Sequence, residues 1–182
     1  MDRPPPRSTT TARRAAHVRA VMDDLRKIVR GLRLSAREAE RSAKMSGAQL
    51  FVLQALAEGK ATSLNALAER TCTDQSSVSV VVRRLVERDL VARKASAEDG
   101  RRVELELTAA GRKLAKRCPE PSQSRLVAGL AQMTPHELTA LRDGLSALVR
   151  EAAMGDESPR MFFDDESVPN RGAKRKGEDG RR

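Results

Sequence analysis

Aromatic residues are almost missing from this sequence, which contains three phenylalanines and neither tryptophan nor tyrosine. The hydrophobic core must therefore be built from Leu, Val, Ala and Met, a composition that favours packed helices over a β-sandwich or a barrel. Proline is missing from a long stretch, since none occurs between Pro6 and Pro119. Long helices are permitted there, because proline is the residue that breaks a helix interior.

Apolar runs and cysteines are equally scarce. No apolar stretch approaches the ~18 residues that a membrane-spanning helix requires. The N-terminal arginines are not followed by an apolar segment, so no secretory signal is predicted. Cys72 and Cys118 are too few for a disulfide framework. We therefore expect a reduced, cytoplasmic protein without a membrane partner.

The residue clusters that mark metal sites and enzymes are not found in the sequence either. His17 and His136 are far apart and have no Cys, His or carboxylate cluster beside them, whereas a metal site normally needs three or four ligands. No glycine-rich phosphate loop occurs, and no spacing suggests a nucleophile with its base. We expect a protein that is not an enzyme and that uses no metal or cofactor. An enzyme would need an aliphatic pocket without an obvious acid–base pair.

Positive charge is what the sequence has in excess, with 35 Lys and Arg against 25 Asp and Glu, a net charge of +10. The excess lies in residues 1–19, with a net charge of +4, and in residues 60–117, with a net charge of +5. Residues 156–182 are neutral overall. This distribution is typical of a protein that binds a polyanion, although a merely basic, solvated surface would look the same.

Composition predicts two tails around one domain. Residues 1–14, rich in Pro, Arg, Ser and Thr, are predicted to be a disordered basic tail, and residues 154–182 a flexible charged tail. Within the second tail, "MFF" at 161–163 is the part that could fold back onto the body. The domain between the tails is expected to span residues 15–153.

Hydrophobic periodicity predicts a mainly α-helical domain. A first helix is predicted from about Ala12 to Ala43, and a second from Ser46, whose spacing to Gln49 is that of a capping box. Thr62 or Ser63 is expected to cap a short third helix. "TPHE" at 134–137 predicts the start of the last helix. Further helices are expected at about 74–88, from Thr108 to about Lys116, and around 126–130.

The short third helix and the helix at 74–88 are separated by the three residues "CTD", which is the arrangement of a helix-turn-helix unit. In the second helix the apolar residues recur on one face and small polar residues with arginine on another. Ser and Gln side chains can reach base edges in a major groove, and Arg can reach guanine or phosphate. An ordinary polar face on a core helix is the competing interpretation.

Directly after this helix, "VARK" and "RVELELT" are predicted to pair as a β-hairpin, with Val103, Leu105 and Leu107 on one side. The connecting loop places Arg101 and Arg102 at the tip, beside Asp99. Arginine suits a narrow, electronegative minor groove, and Asp99 is spaced to pair with Arg101 and hold the loop.

The stretch "DQSSVSVVVRRLVERDLVARKASAEDGRRVELELTAAGRKL" resembles the MarR family of winged-helix regulators. Asp99-Gly100-Arg101 matches the Asp-x-Arg motif of the family's wing, and Leu107 to Gly111 match its Leu-Thr-x-x-Gly motif. The resemblance covers about residues 18–153. It implies a mainly α fold with a small β-hairpin wing, in which a winged helix-turn-helix domain at about 46–110 is flanked by N- and C-terminal dimerisation helices at about 15–43 and 122–153.

The resemblance also implies a homodimer that binds pseudo-palindromic double-stranded DNA, with a small inducer or an oxidant relieving repression. The periodicity of the terminal helices agrees, because apolar stripes at both ends of a small domain require a partner surface. The inducer is not identified by the sequence. The family's pocket would lie between the dimer helices and the winged unit, where Met45 and Phe51 are expected as core residues.

Individual residues are assigned roles as predictions. Gln75, Ser76, Ser77, Ser79 and Arg83 are expected in the major groove, with Arg84 on phosphate. Arg101 is expected in the minor groove and Asp99 beside it, with Arg102 and Arg93 on phosphate. Thr62 and Ser63 begin a helix whose free N–H groups suit a backbone phosphate.

The remaining alternatives concern Cys72, Cys118 and the use of the winged helix. Oxidation of Cys72, in the turn before the helix at 74–88, would disturb DNA contact. Two small, half-buried residues are the simpler interpretation of both cysteines.

The main hypothesis is a sequence-specific, nucleoid-associated regulator. A winged helix used for protein contact, or for non-specific architectural DNA binding, is the alternative.

Overall fold

The computed structural model describes residues 7–59, 63–95, 103–154 and 161–163, with side chains from residue 11 onward. Thr62, Asp99, Arg101 and Arg102, to which the sequence assigns roles, lie outside the described residues. The described elements follow one another in the order α1 Arg7–Ala43, α2 Gly47–Ala57, α3 Leu64–Arg70, α4 Gln75–Glu87, β1 Val91–Ala95, β2 Val103–Leu107, α5 Ala109–Arg117, α6 Ser122–Gln132 and α7 Pro135–Glu151.

The starts of α2, α5 and α7 are where the sequence predicts them, because each carries a local hydrogen bond. Ser46 and Gln49 form the predicted capping box before α2. Thr134 and Glu137 form another before α7, with Pro135 in its first turn. Thr108 accepts a hydrogen bond from the N–H of Gly111 at the start of α5. These bonds satisfy N–H groups that a helix terminus otherwise leaves without partners.

The first helix is longer than predicted. It begins at Arg7, so residues 7–14, predicted as part of a disordered tail, are helical. The physical reason is that no proline follows Pro6 until Pro119, and the residues directly after Pro6 are Arg, Ser, Thr and Ala. Composition alone placed them in a tail, whereas none of them prevents the extension of a stable helix.

The core lies between α2, α4, the base of the hairpin and α5. Fully buried side chains of α2 and α4 meet there, and α4 contributes Val78, Val81, Val82 and Leu85, all 0% exposed. Leu105 and Leu107 of β2 close the core from the hairpin side. Val103 belongs to the same alternation but is exposed, because it lies at the far end of the strand from the body.

The short segment at residues 161–163 packs against the body, where the sequence suggested that it could. Met161 is buried within the core cluster. The side-chain amide of Gln123 in α6 donates a hydrogen bond to the carbonyl oxygen of Phe162, with an N–O distance of 2.9 Å. A helix-turn-helix followed by an antiparallel hairpin, with long helices before and after it, is a winged helix-turn-helix architecture.

Candidate nucleic-acid interface

The turn between α3 and α4 is held by hydrogen bonds within a few residues. Thr71 is buried, and its hydroxyl donates to the carbonyl oxygen of Leu67 at 2.9 Å. Cys72 adopts a φ of 50°, and the N–H of Thr73 donates to the carbonyl oxygen of Ala68 at 3.0 Å. Local bonding of this kind sets the direction of α4 relative to α3. The predicted three-residue break is therefore a defined turn.

Helix α4 has one buried face and one polar face, as its periodicity predicts. Gln75, Ser76 and Arg83 are exposed, and Ser77, Ser79 and Arg84 are partly buried. The polar face therefore offers an amide, three hydroxyls and two guanidinium groups. These are the groups that read base edges and phosphates in a major groove.

Asp74 organises the first turn of α4. Its carboxylate accepts a hydrogen bond from the backbone N–H of Ser77 at 2.9 Å. It also accepts from the hydroxyl of Ser77 at 2.7 Å and from the hydroxyl of Ser76. The Ser76 hydroxyl, followed by the backbone and hydroxyl of Ser77, holds the pKa of Asp74 far below its ordinary value. Asp74 is therefore ionised at neutral pH, and both serine hydroxyls are already engaged.

Arg88, just after α4, joins this helix to the end of α1. Its guanidinium donates to the carbonyl oxygens of Lys44 at 2.8 Å and of Ala43 at 3.1 Å. It also reaches the side-chain oxygen of Gln49 at 3.4 Å. A cation at a helix C-terminus satisfies free carbonyls and complements the helix dipole. The end of α4 is therefore tied to the junction of α1 and α2.

The hairpin is joined to α5 through the corner around Thr108. The Thr108 N–H donates to the carbonyl oxygen of Leu90 at 3.0 Å, and its hydroxyl donates to the carbonyl oxygen of Asp89 at 2.8 Å. A Cβ atom placed on Gly111 would lie 2.1 Å from the Leu90 oxygen. Only glycine fits at this position, which gives a physical reason for the glycine of the Leu-Thr-x-x-Gly motif.

The described part of the hairpin carries exposed charge. Arg93 of β1 is exposed, and Lys94 forms an ion pair with Glu106 of β2 across the two strands. The tip residues Asp99, Arg101 and Arg102 are outside the described part of the chain, so their roles stay predictions. Thr62 stays a prediction for the same reason. Ser63 is exposed and caps α3 by accepting from the N–H of Ala66.

The two cysteines lie in different environments. Cys72 is exposed in the turn before α4, whereas Cys118 is partly buried after α5. Gln54 donates to the carbonyl oxygens of Cys118 at 3.1 Å and of Pro119 at 3.2 Å, which fixes this second segment to α2. The interpretation of both as half-buried is therefore wrong for Cys72. Cys72 is not among the residues that pack against the core, whereas Cys118 is. A redox role for either cysteine stays a prediction.

Asp74 and Arg88 are the site residues that sequence reasoning missed. Asp74 had a local signal, because an Asp directly before a helical run is a preferred N-cap. Arg88 had none, since its partners precede it by 44 and 45 residues. Met45 and Phe51, named for the expected ligand pocket, are buried core residues. In the part of the chain that the structure describes, no helix is long and apolar enough to cross a bilayer.

Residues 43–102 match the model of the MarR family. Three solved structures are similar to this chain. The first is the transcriptional regulator BldR from Sulfolobus solfataricus, with 24% identity over 74% of this chain and 96% of that chain, and a TM-score of 0.49. The second is a MepR-like protein complexed with pseudoligands, with 20% identity over 75% and 93% and a TM-score of 0.48.

The third is BpsR from Bordetella bronchiseptica, whose DNA binding is regulated by 6-hydroxynicotinic acid. It has 27% identity over 75% of this chain and 94% of that chain, with a TM-score of 0.46. A search of the curated proteins gives no match to this chain. Since all three TM-scores are below 0.5, the assignment rests on the matched segment. That segment contains α2, α3, α4 and β1, and it supports a DNA-binding transcription regulator.

Proposed function

We propose that this chain, whose residues 43–102 match the model of the MarR family, is a regulator that binds a pseudo-palindromic operator as a homodimer. The observation that supports the proposal most directly is that α4 has separate apolar and polar faces. Four side chains of its apolar face are fully buried, while three polar side chains are exposed beside an antiparallel hairpin. The buried side chains are Val78, Val81, Val82 and Leu85, and the exposed ones are Gln75, Ser76 and Arg83. A helix anchored in this way presents a rigid polar surface to a groove.

The proposed contacts on α4 and β1 are supported by the exposure of their side chains. Gln75, Ser76, Ser77, Ser79 and Arg83 read or line the major groove, and Arg84 and Arg93 approach phosphates. For the loop between β1 and β2, which lies outside the described residues, the support is the sequence motif alone. Arg101 is proposed to enter the minor groove with Asp99 beside it, and Arg102 to approach phosphate. Loss of a base contact relaxes sequence preference, whereas loss of a phosphate contact weakens binding to all sequences alike.

The proposed homodimer is supported by apolar side chains that a single chain leaves in water. Leu138, Leu141, Leu145 and Leu148 form a stripe on α7 and are each about two-fifths exposed. Val18, Val21 and Val29 of α1 are also exposed. Stripes at this helical spacing are the pattern of a surface that packs against another helix. Two-fold symmetry then places two copies of α4 about 34–36 Å apart, one turn of DNA.

Repression relieved by a small inducer is the finer part of the proposal. It rests on the regulation that the resemblance to the MarR family implies. A screen for inducers becomes meaningful once a specific operator is in hand.

The test is fluorescence anisotropy of the purified protein on DNA from upstream of its own gene and on unrelated DNA, at several salt concentrations. We expect binding to the upstream DNA to be tighter by a factor of ~10³ or more. Affinity should fall with salt, with a log–log slope of about −0.9 per phosphate neutralised. Equal, steeply salt-dependent binding to both DNAs would indicate an architectural protein. No binding at low salt would favour a protein-contact module.

Arg83→Ala tests whether the polar face of α4 binds the DNA, and Arg125→Ala is its matched control. Both arginines are exposed on helices, but Arg125 is on α6, outside the helix-turn-helix. We expect Arg83→Ala to weaken binding by about 1–3 kcal/mol if it contacts a base and Arg125→Ala to leave it unchanged. Equal effects of the two would mean that general positive charge, and not α4, binds the DNA.

A further inference from the structure

The two ends of the polar face of α4 differ in charge and in hydrogen-bonding character. Asp74, Ser76 and Ser77 cluster at its first turn, and Arg83 lies near its other end. Ser76 and Arg83 are seven helix positions apart, which corresponds to about 10 Å, or about three base pairs of DNA. The helix therefore has an acidic, serine-rich end and a basic end along the direction in which it would read bases.

The serine hydroxyls at the acidic end act as hydrogen-bond acceptors toward an incoming group. An ionised carboxylate has no hydrogen to donate, so in each Ser–Asp74 bond the hydroxyl must be the donor. Both bonds are present, to different oxygens of the carboxylate. A hydroxyl has a single hydrogen and two lone pairs. Each serine therefore retains only acceptor capacity for a ligand.

Phosphate is disfavoured at this end of the helix. Asp74 already occupies the helix cap by accepting from the N–H of Ser77, and its negative charge would repel a phosphate oxygen. The acceptors of guanine O6, thymine O4 and purine N7 are also poor partners, because they too lack a hydrogen to donate. Among the groups in a major groove, the hydrogen-bond donors are the N4 amine of cytosine and the N6 amine of adenine.

We propose that the first turn of α4 reads the exocyclic amine of a cytosine or adenine. Ser76 makes the contact, and Asp74 fixes the direction of the Ser76 hydroxyl hydrogen. The inference rests on the proposed function, since it takes DNA in the major groove as the ligand. Ser76 is exposed, whereas Ser77 is partly buried, so Ser76 makes the direct contact. Asp74 is a positioning residue that keeps the Ser76 hydrogen turned away from the base.

The first step of the test is to select preferred sequences from a random DNA pool with the wild-type protein and with Ser76→Ala. The base pair at which Ser76→Ala alone loses preference is the pair that Ser76 reads. Ser42→Ala, which changes an exposed serine of α1 outside the helix-turn-helix, serves as the matched control. We expect it to retain the wild-type preference at that pair. If the wild-type protein selects no sequence, the proposed function fails, and the inference fails with it.

The second step changes one functional group of that base pair at a time in the selected DNA. Replacing its adenine by purine, or its cytosine by 2-pyrimidinone, deletes the amine. We expect wild-type binding to weaken about tenfold or more, and binding of Ser76→Ala to be insensitive. Replacing N7 of the purine by carbon should leave wild-type binding unchanged. The same analogues in a pair outside the selected site control for duplex stability.

Two results would overturn the inference while leaving the proposed function in place. One is a wild-type protein that tolerates loss of the amine but not loss of N7, because Ser76 would then be donating. The other is Asp74→Asn with unchanged sensitivity to the amine. Asparagine retains the N-cap but carries its own donor and no charge, so the Ser76 hydroxyl becomes free to turn. We expect Asp74→Asn to lose most of the discrimination.

Discussion

At the scale of single residues, Asp74 connects the stability of α4 to pH. The hydrogen bonds from Ser76 and Ser77 lower the pKa of its carboxyl below the ordinary value of 3.8. A carboxyl with a lowered pKa in the folded state stabilises the fold above the pKa of the unfolded state. That stabilisation is lost as pH falls below 3.8 toward the folded-state pKa.

We therefore expect Asp74→Asn to flatten the dependence of unfolding free energy on pH in the acid range. The measurement is urea unfolding at a series of pH values on both sides of 3.8, followed by circular dichroism. Asp143→Asn is the control, since Asp143 is an exposed carboxylate that pairs only with the neighbouring Arg142 among the described contacts. Identical acid profiles for wild type and Asp74→Asn would show that the hydrogen bonds at α4 do not contribute.

Gly111 is a second position at which one atom decides stability. The Cβ atom of an alanine would meet the backbone of Leu90, which cannot move like the end of a flexible side chain. We expect Gly111→Ala to destabilise the fold by about 1–3 kcal/mol. Gly129→Ala, on a helix with nothing within 4 Å of the new atom, should be neutral or stabilising by up to about 1 kcal/mol. Thermal unfolding of both variants compares them, and an equal loss in both would contradict the close contact at Leu90.

At the scale of elements, Arg83 and Arg88 have separate roles although five positions apart. Arg83 is exposed on the polar face, whereas Arg88 ties the end of α4 to the last carbonyls of α1. We expect Arg88→Ala to lower the free energy of unfolding by roughly 1–2 kcal/mol. Arg83→Ala should leave stability unchanged and weaken DNA binding. Urea unfolding and anisotropy on the same two variants test this, and a loss of stability in Arg83→Ala would contradict the division.

The elements were predicted well wherever a signal lies within one turn of helix. The caps at Ser46, Thr108 and Thr134 were all found from residue type and spacing, because their partners are three residues away. The start of α1 was predicted wrongly, since a Ser/Thr/Arg-rich composition is compatible with a tail and with the first turns of a long helix. The docking of Met161 had only a weak sequence signal, an apolar triplet inside a charged tail.

At the scale of the whole molecule, the exposed leucines of α7 predict assembly. We expect the wild-type chain to be a dimer at micromolar concentration in sedimentation velocity, and Leu145→Glu to shift it toward monomer and to weaken operator binding. The physical reason is that a carboxylate at this position would be desolvated in an apolar interface. Thr139→Glu, exposed on the other side of α7, is the control. A monomeric wild-type chain, or a dimeric Leu145→Glu variant, would count against α7 as the interface.

The sequence by itself determined the starts of α2, α5 and α7, the two faces of α4 and the alternation in β2. Each depends on residues no more than a few positions apart, where helix or strand geometry fixes which side chains share a face. Only the tertiary structure decided that Arg88 caps α1, that Gln54 holds the chain after α5, and that Gly111 lies against Leu90. Those contacts join residues distant in sequence, and they exist because packing of α1, α2, α4 and α5 around one core brings particular backbone carbonyls within reach of particular side chains.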